Sequence, residues 1–235
     1  MWDERDTCWV SNIEQGTEEW KKLRLCSISS SNISECVGRS SFSPKNHDEK
    51  IELAKIICGI SQKSFSEEAI SNMKRGTLFE SNVREYHFNK IRSKEYNLNM
   101  KELGLAVWKN DQRFRGSVDA EIGEDGIAEY KVPKYMYKKL IQYVEANEKG
   151  YKCENDMSHI FNSHLDQMTQ NSIILNKKWC DYQVVSFEDK LEFYQRIPTN
   201  YDLWNDTLYP LACEYYTNYI DPIINEYHLK LVSPN

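Results

Sequence analysis

The sequence predicts a mixed α/β (α+β) fold in which a small central mixed sheet is flanked by helices. Three observations predict it. Helical periodicity dominates the N-terminal part of the chain, short extended segments with a turn signal follow in the middle, and helical patterns then resume. Since each element must bury its apolar face against another, this order is typical of helices packed on a sheet.

The 235 residues are predicted to form one domain, residues 1–235. A chain of this length buries one substantial core, and no internal repeat, low-complexity tract or Gly/Pro-rich linker divides it. No apolar run is long enough to span a bilayer, and the N-terminal MWDERDTCWV lacks the regions of a secretory signal. The sequence therefore predicts a soluble, intracellular protein with no membrane contact.

Cysteine spacing and net charge limit the classes of function. The seven cysteines contain no CxxC pair, which disfavours zinc and iron–sulfur sites and predicts reduced thiols that fill the core. The net charge of −6 disfavours a generally basic nucleic-acid-binding protein. A metal nuclease nevertheless concentrates carboxylates at its centre and can keep a basic groove, so the charge does not decide the matter.

Four helices are predicted before the extended segments. The first, third and fourth place apolar residues on one side, and serines supply N-cap residues for the second. The face predicted to be buried in the fourth helix consists of Leu78, Phe79, Val83 and Tyr86. The predicted helices are Thr17–Leu25, a helix from about Asn32, Asp48–Ile60 and Thr77–Ile91.

The middle of the chain is predicted to be extended, with a turn signal at Glu124-Asp125-Gly126. This turn predicts an antiparallel hairpin between the strands on either side of it. The predicted strands are Glu102–Trp108, Phe114–Glu121, Ile127–Lys131 and Asp181–Phe187. The remaining predicted helices are Tyr135–Asn147, Ser158–Leu175 and a mostly helical C-terminal stretch, Tyr201–Tyr227.

The hairpin carries the residues that could perform chemistry. Because side chains alternate along a strand, Glu129 and Lys131 share one face and Tyr130 lies on the other. The partner strand can bring Asp119 opposite them. Magnesium prefers oxygen ligands and typically takes one or two carboxylates, so this trio suits phosphodiester hydrolysis, with Lys131 positioning or deprotonating water. Taken alone, the spacing is better explained by an exposed hairpin with a Glu–Lys pair.

Five segments together resemble the lambda-exonuclease or YqaJ-type viral recombinase family. They occur in the order that the family shows and extend from Glu14 to about Gln170. The segments are Glu14-Gln15-Gly16 with Trp20, Leu23-Arg24-Leu25 and Ser29–Ser31; Arg75–Glu80; Gly116–Asp119; Glu129–Pro133; and His164–Gln167.

The resemblance implies a restriction-endonuclease-like core of the PD-(D/E)xK type and processive 5′-to-3′ digestion of double-stranded DNA from its ends in viral recombination or replication. It implies two Mg²⁺ ions, for which Mn²⁺ can substitute. A homotrimer around DNA and a single-strand annealing protein as a partner are also expected. Such a protein acts in the cytoplasm, the host-cell nucleus or a virus factory.

Individual roles follow from the same resemblance. Asp119, Glu129 and the Tyr130 carbonyl match the metal ligands, Lys131 matches the catalytic lysine, and Glu80 matches an acidic residue beside the metals. The residues that match those around the terminal phosphate or the cleaved strand are Arg24, Ser31, Ser117 and Gln167.

The sequence also departs from the family pattern. Val118 stands where the family has proline and His164 where it has tyrosine. Asp111 is the candidate for a further upstream aspartate, and Glu145–Asn155 is expected to absorb a longer connection. The polar stripe that Gln167 shares with His164 and Asn171 is expected to face DNA or water.

Two other functions stay open. One is an endonuclease or RNA-degrading nuclease on the same fold, and the other is a non-catalytic DNA-end-binding recombination protein.

Overall fold

The computed structural model of the chain describes residues 2–92, 99–148 and 157–234. Cys153 and most of the connection expected at Glu145–Asn155 lie outside these ranges. The six cysteines within them are free thiols, and all except Cys213 are buried, as predicted. None of the helices in these ranges is long and apolar enough to cross a bilayer.

Helices surround the sheets at both ends of the chain. Side chains cap the N-termini of four of them, at Thr17, Asn46, Ser66 and Asn200. The helices are α1 (Glu18–Leu23), α2 (Ile33–Cys36), α3 (His47–Ile57), α4 (Glu67–Tyr86), α5 (Lys138–Glu148), α6 (Asn162–Ile174), α7 (Tyr201–Leu203), α8 (Tyr209–Tyr215) and α9 (Asp221–Glu226). Helical turns of π type continue α4 as His87–Arg92 and join the last three helices as Trp204–Leu208 and Tyr216–Ile220.

Ten strands in the described residues form two mixed five-stranded sheets, in the orders β1-β2-β5-β6-β3 and β10-β9-β8-β7-β4. One neighbouring pair in each sheet is parallel, β3 with β6 and β8 with β9. The strands are β1 (Trp2–Glu4), β2 (Cys8–Ser11), β3 (Ile28–Ser29), β4 (Met100–Lys101), β5 (Ala106–Trp108), β6 (Phe114–Gly116), β7 (Ala120–Ile122), β8 (Gly126–Lys131), β9 (Trp179–Ser186) and β10 (Leu191–Pro198).

The mixed α/β fold class and the hairpin are confirmed, with one difference in detail. The segment predicted as a single strand, Phe114–Glu121, is two strands that belong to different sheets. β7 and β8 pair antiparallel, with Ala120 opposite Ala128 and Ile122 opposite Gly126. Asp119 therefore lies at the point where the chain leaves one sheet and enters the other.

Helix α4 differs most from its prediction. It begins at Glu67, ten residues before the predicted start, because Ser66 accepts a hydrogen bond from Ala69 N at 3.2 Å and caps it. The predicted burial of Leu78 is wrong, since the residue is 67% exposed. Val83 is buried as predicted, and its helix covers the hairpin face that carries Tyr130.

The second strand of the β9–β10 hairpin was not predicted. Its buried residues, Phe193 and Ile197, are four positions apart, and charged or polar side chains surround them. The segment is a strand because it pairs antiparallel with β9 along its whole length, from Leu191 opposite Ser186 to Pro198 opposite Trp179. β10 forms the outer edge of the sheet that contains the hairpin.

Candidate active site

The hairpin holds Asp119 beside Tyr130. Because Ala120 lies opposite Ala128, continuing the register by one residue puts Asp119 opposite Glu129. Asp119 Oδ2 accepts a hydrogen bond of 2.6 Å from the backbone N–H of Tyr130. The carboxylate is thereby fixed to the strand that carries Glu129 and Lys131.

Lys131 connects the hairpin to α6. Its ammonium group donates to Glu129 Oε1 at 2.6 Å and to Gln167 Oε1 at 3.3 Å. Glu129 is 2% exposed, and its second oxygen, Oε2, has no hydrogen-bond partner within the described ranges. A buried carboxylate oxygen without a donor is costly, so this atom is available to a cation.

Glu80 approaches the same carboxylates from α4. Its Oε1 accepts from Arg84 at 3.2 Å one helical turn away, and Arg84 also pairs with Glu102. Burial and the charge of Asp119 raise the pKa of Glu80 to about 7. The side chain is therefore within electrostatic reach of Asp119.

The buried carboxylates of this group repel one another. Burial raises the pKa of Glu129 to about 8, and Asp119 and Glu80 contribute although Lys131 opposes them. Burial likewise raises the pKa of Asp119. Burial lowers the pKa of Lys131, but Glu129 and Asp119 more than offset this and raise it to about 12. The three carboxylates thus outnumber the ammonium group of Lys131, and protons or a divalent cation can supply further positive charge.

The donor set fits a magnesium ion held by two carboxylates and a carbonyl. No group of three His, Cys, Asp or Glu side chains converges to hold a metal among the residues that the structure describes. Asp119 and Oε2 of Glu129 remain as carboxylate donors, and the Tyr130 carbonyl is the third donor that the resemblance implies. Magnesium commonly takes only one or two carboxylates and completes its shell with water and phosphate oxygens.

A second group of residues forms around Arg24. Its guanidinium donates to Ser29 Oγ at 2.8 Å and to Ser31 Oγ at 2.5 Å, and lies 4.3 Å from the ring centroid of Trp20. Trp20 Nε1 in turn donates to Ser117 Oγ at 3.3 Å. No described carboxylate pairs with Arg24, and burial lowers its pKa only to about 10, so it keeps its positive charge at neutral pH.

The structure thus brings the predicted residues together in two groups. The first contains Glu80, Asp119, Glu129, Lys131 and Gln167, and the second contains Arg24, Ser31 and Ser117. Ser117 precedes Asp119 by two residues, so the connection from β6 to β7 links the groups.

Two amides hold this connection through contacts that the sequence did not predict. Gln15 Nε2 donates to the carbonyl of Leu103 and to that of Val118, both at 2.9 Å. Asn171 Nδ2 donates to the Ser117 carbonyl at 3.0 Å. Gln15 belongs to the Glu14-Gln15-Gly16 segment of the family resemblance, and this was the one sign in the sequence that the residue matters.

The prediction that the polar stripe on α6 faces DNA or water is wrong in part. Asn171 is fully buried, and His164 Nδ1 bonds the Tyr182 hydroxyl at 2.7 Å. Burial and the charge of Lys131 lower the pKa of His164 to about 2, which keeps it neutral. Of the three, Gln167 extends to the hairpin lysine.

Asp111 serves a different part of the fold. It forms an ion pair with Arg113 at 2.5 Å and accepts from the Tyr209 hydroxyl at 3.2 Å, beside the C-terminal helices. These contacts give it a structural partner and no link to the hairpin carboxylates.

The comparison with protein families decides the classification. Residues 19–171 match the model of the YqaJ-like viral recombinase domain, which is more than half of the chain. The chain belongs to the YqaJ-like viral recombinase family. The match contains both groups of site residues, and it confirms the family resemblance. No curated protein sequence matches the chain significantly.

Solved structures share the fold of this YqaJ-like protein. The alkaline exonuclease LHK-Exo from Laribacter hongkongensis is 20% identical, with a TM-score of 0.64 over 90% of this chain and 96% of that one. Its complex with dAMP gives a TM-score of 0.62 at 20% identity, over 90% and 98% of the two chains. A phage-related exonuclease from Haemophilus somnus 129PT is 14% identical, with a TM-score of 0.56 over 88% and 99%. The family and this fold together support a nuclease of the exonuclease type.

Proposed function

We propose that this YqaJ-like protein is a magnesium-dependent exonuclease that digests double-stranded DNA from its ends, in the 5′-to-3′ direction, during viral recombination or replication. The observation that carries the proposal is the convergence of Asp119, Glu129 and Lys131 on one hairpin, where Glu129 Oε2 has no donor among the residues described.

The metal would be held by Asp119, Glu129 and the Tyr130 carbonyl, with Glu80 beside it. A divalent ion held there would supply positive charge to the phosphate and would make a bound water more acidic. Two ions are proposed, and Mn²⁺ should replace Mg²⁺ because both accept oxygen ligands. Support comes from the burial of the carboxylates, which, with their mutual repulsion, raises their pKa values and favours an added cation.

Lys131 is the proposed electrostatic catalyst. With its pKa raised to about 12, the side chain is protonated at neutral pH and can hold a phosphate oxygen or orient the attacking water. Gln167 and Glu129 fix the position of its ammonium group. Proton removal from water by Lys131, the other role expected from sequence, would require its pKa to fall in the complex with metal and DNA.

The cluster of Arg24, Ser29 and Ser31 is the proposed seat of the 5′-terminal phosphate. A guanidinium with two hydroxyl groups and no carboxylate partner in the described ranges suits a phosphate, since arginine binds its oxygens in pairs. Ser117 links this seat to Asp119. An end-binding seat beside a hydrolytic site supports digestion from ends and the proposed polarity.

The partners are proposals from the family resemblance. Double-stranded DNA is the proposed substrate, a homotrimer around DNA would explain processive digestion, and a single-strand annealing protein would receive the exposed strand. Light scattering of the purified protein with and without duplex DNA tests the trimer directly.

The test uses a linear duplex that carries a 5′-phosphate, with Mg²⁺, alongside closed circular DNA and RNA. We expect mononucleotides from the linear duplex alone, and loss of this release in Lys131→Ala. Cleavage of circular DNA would instead indicate an endonuclease, and cleavage of RNA an RNA-degrading nuclease, with the same metal site. Absence of cleavage with both Mg²⁺ and Mn²⁺ would leave a DNA-end-binding protein.

A further inference from the structure

The chain that follows the catalytic strand is basic in an acidic protein. Residues 131–144 contain four lysines and no aspartate or glutamate, while the whole chain has a net charge of −6. Lys131 belongs to the proposed catalytic site. Lys139 donates to the Ser158 carbonyl at 3.3 Å and lies over the Phe161 ring. Lys134 and Lys138 are exposed, and neither forms an ion pair with a carboxylate in the part of the chain that the structure describes.

An exposed aromatic ring lies between these two lysines. Tyr135 is 60% exposed, and the Lys134 ammonium group lies 5.2 Å from the centroid of its ring. A single exposed aromatic residue on a protein surface needs no explanation. An aromatic ring beside lysines that have no carboxylate partner among the described residues is different, because this combination binds single-stranded nucleic acid by stacking on bases and contacting phosphates.

The backbone under Tyr135 is fixed on both sides. The Lys134 carbonyl accepts from Ser186 Oγ at 2.8 Å, and the Met136 N–H donates to Asp189 Oδ2 at 2.6 Å. Met136 itself is buried in the core. The exposed side chains therefore project from an anchored segment, and a surface that is already ordered loses less entropy when it binds.

The segment also lies within reach of the reacting phosphate. Lys134 follows Lys131 by three residues, which span at most about 11 Å when extended. At a rise of ~3.4 Å per nucleotide, this distance corresponds to roughly three nucleotides of one strand. A DNA strand with a phosphate at Lys131 would thus pass Lys134 and Tyr135 within its first few nucleotides.

We propose that Lys134, Tyr135 and Lys138 bind an unpaired DNA strand next to the scissile phosphate. Tyr135 stacks on a base, and the two lysines contact phosphates on either side of it. This inference rests on the proposed nuclease function and adds a strand-binding surface to it. The occupant is a DNA strand because the surface offers positive charge and a flat ring, which match phosphate and base.

The test measures binding of a duplex whose 5′-phosphorylated strand ends in a short single-stranded 5′ extension, without divalent ions so that no cleavage occurs. Lys134→Ala and Lys138→Ala should each weaken binding and reduce the slope of log Kd against log salt by about 0.7 to 0.9. Tyr135→Ala should weaken binding roughly 5- to 150-fold, the range for loss of one base stack, and Tyr135→Phe should retain it.

Lys178→Ala is the matched control. Lys178 is 72% exposed at the other end of the same two strands, where Gly126 pairs with Trp179, while Lys131 pairs with Val184. Its replacement should leave both the affinity and the salt slope unchanged. An equal loss in this control and in Lys134→Ala would show a general charge effect and overturn the proposal.

Cleavage by the wild-type protein separates this inference from the proposed function. If the wild type cleaves linear DNA but Lys134→Ala, Tyr135→Ala and Lys138→Ala bind the extended duplex like the wild type, the strand-binding surface is overturned and the nuclease stands. If the wild type does not cleave, the proposed function fails, while weakened binding in the three variants would still support the surface. Melting temperatures near that of the wild type exclude misfolding as the cause.

Discussion

The Tyr130 hydroxyl lies 2.9 Å from Nδ1 of His87, inside the face of the hairpin that α4 covers. The other ring nitrogen of His87 lies 3.3 Å from Oδ2 of Asp181, and both residues are fully buried. The backbone of the same tyrosine holds Asp119 through its N–H group. The side chain of Tyr130 therefore connects the β7–β8 hairpin to the helical turn that continues α4 and, through His87, to β9.

Removing this hydroxyl should lower the stability of the protein and weaken the support of the proposed metal site. Tyr130→Phe keeps the ring but leaves the His87 nitrogen without its partner, which should lower the free energy of unfolding by about 1–3 kcal/mol. We also expect a higher Mg²⁺ concentration for half-maximal cleavage, since the proposed carbonyl ligand belongs to the same residue. Urea denaturation and magnesium titration measure the two effects.

Tyr201→Phe provides the control for that change. Tyr201 is 50% exposed, so the loss of its hydroxyl should alter neither stability nor the magnesium requirement. A Tyr130→Phe protein that is less stable but has an unchanged magnesium requirement would limit the His87 contact to a structural role.

Replacing either of two glycines by alanine should change the stability of the protein, in opposite directions. A Cβ at Gly116 would lie 2.3 Å from Asn171 Oδ1, and Asn171 is fully buried while it bonds the Ser117 carbonyl. Gly116→Ala should therefore destabilise the protein by about 1–3 kcal/mol through overpacking. Cleavage should also fall, because the displaced connection carries Asp119.

Gly76 is the contrasting case within α4. A Cβ there would meet no atom within 4 Å. Replacing glycine by alanine inside a helix stabilises it by about 0.5–1 kcal/mol, so Gly76→Ala should raise the melting temperature. Thermal melts of both variants give the comparison, and a Gly116→Ala protein as stable as the wild type would contradict the proposed close packing.

The sequence predicted the hairpin well because its signals are local. Alternation in Ile127–Lys131 and the turn before it determine which side chains share a face, and the register followed. The two sheets could not be predicted in the same way. The chain changes sheet between Gly116 and Ala120, and this change depends on which distant strands pair on each side of it.

Buried polar side chains were the hardest features to predict. Gln170 on α6 is fully buried because its amide donates to the carbonyls of Ile28 and Arg115, at 3.0 and 2.9 Å, across the parallel β3–β6 pair. Helical spacing alone suggests that such a residue faces water. Arg115 is also fully buried, and backbone carbonyls accept its hydrogen bonds. Only the packed fold shows which polar groups have such partners.

The stability of the metal-free protein should decrease as the pH rises. Burial and neighbouring carboxylates raise the pKa of Glu80 to about 7 and that of Glu129 to about 8, so the folded state holds these protons more tightly than the unfolded chain. The resulting stability is fully present below the ordinary pKa of glutamate, near ~4.3, and is lost as the pH rises through about 7 to 8.

Thermal melts with a chelator from pH 5 to pH 9 measure this loss. Added Mg²⁺ should restore stability most strongly at the upper end, because the metal requires deprotonated ligands. Glu129→Gln should flatten the pH profile and abolish the magnesium effect. A wild-type profile that rises towards pH 9 without metal would contradict the repulsion among the three carboxylates.

Arg24 should determine whether the enzyme distinguishes a 5′-phosphate from a 5′-hydroxyl. Its guanidinium is positioned by Ser29 and Ser31 and stacked on Trp20, and no carboxylate in the described ranges neutralises it. Hydrogen bonds to charged groups contribute about 1.5–3 kcal/mol. Arg24→Ala should therefore reduce the ratio of cleavage rates on 5′-phosphorylated and 5′-hydroxyl duplexes by roughly 10- to 150-fold.

Arg24→Lys separates charge from geometry. A lysine keeps the positive charge but lacks the planar fork that binds two phosphate oxygens at once, so its ratio should lie between those of the wild type and Arg24→Ala. Lys22→Ala, at an exposed position two residues earlier, should retain the wild-type ratio. If Arg24→Ala slows cleavage of both duplexes equally, the residue contributes to general DNA binding, and the seat of the terminal phosphate must be sought elsewhere on the protein.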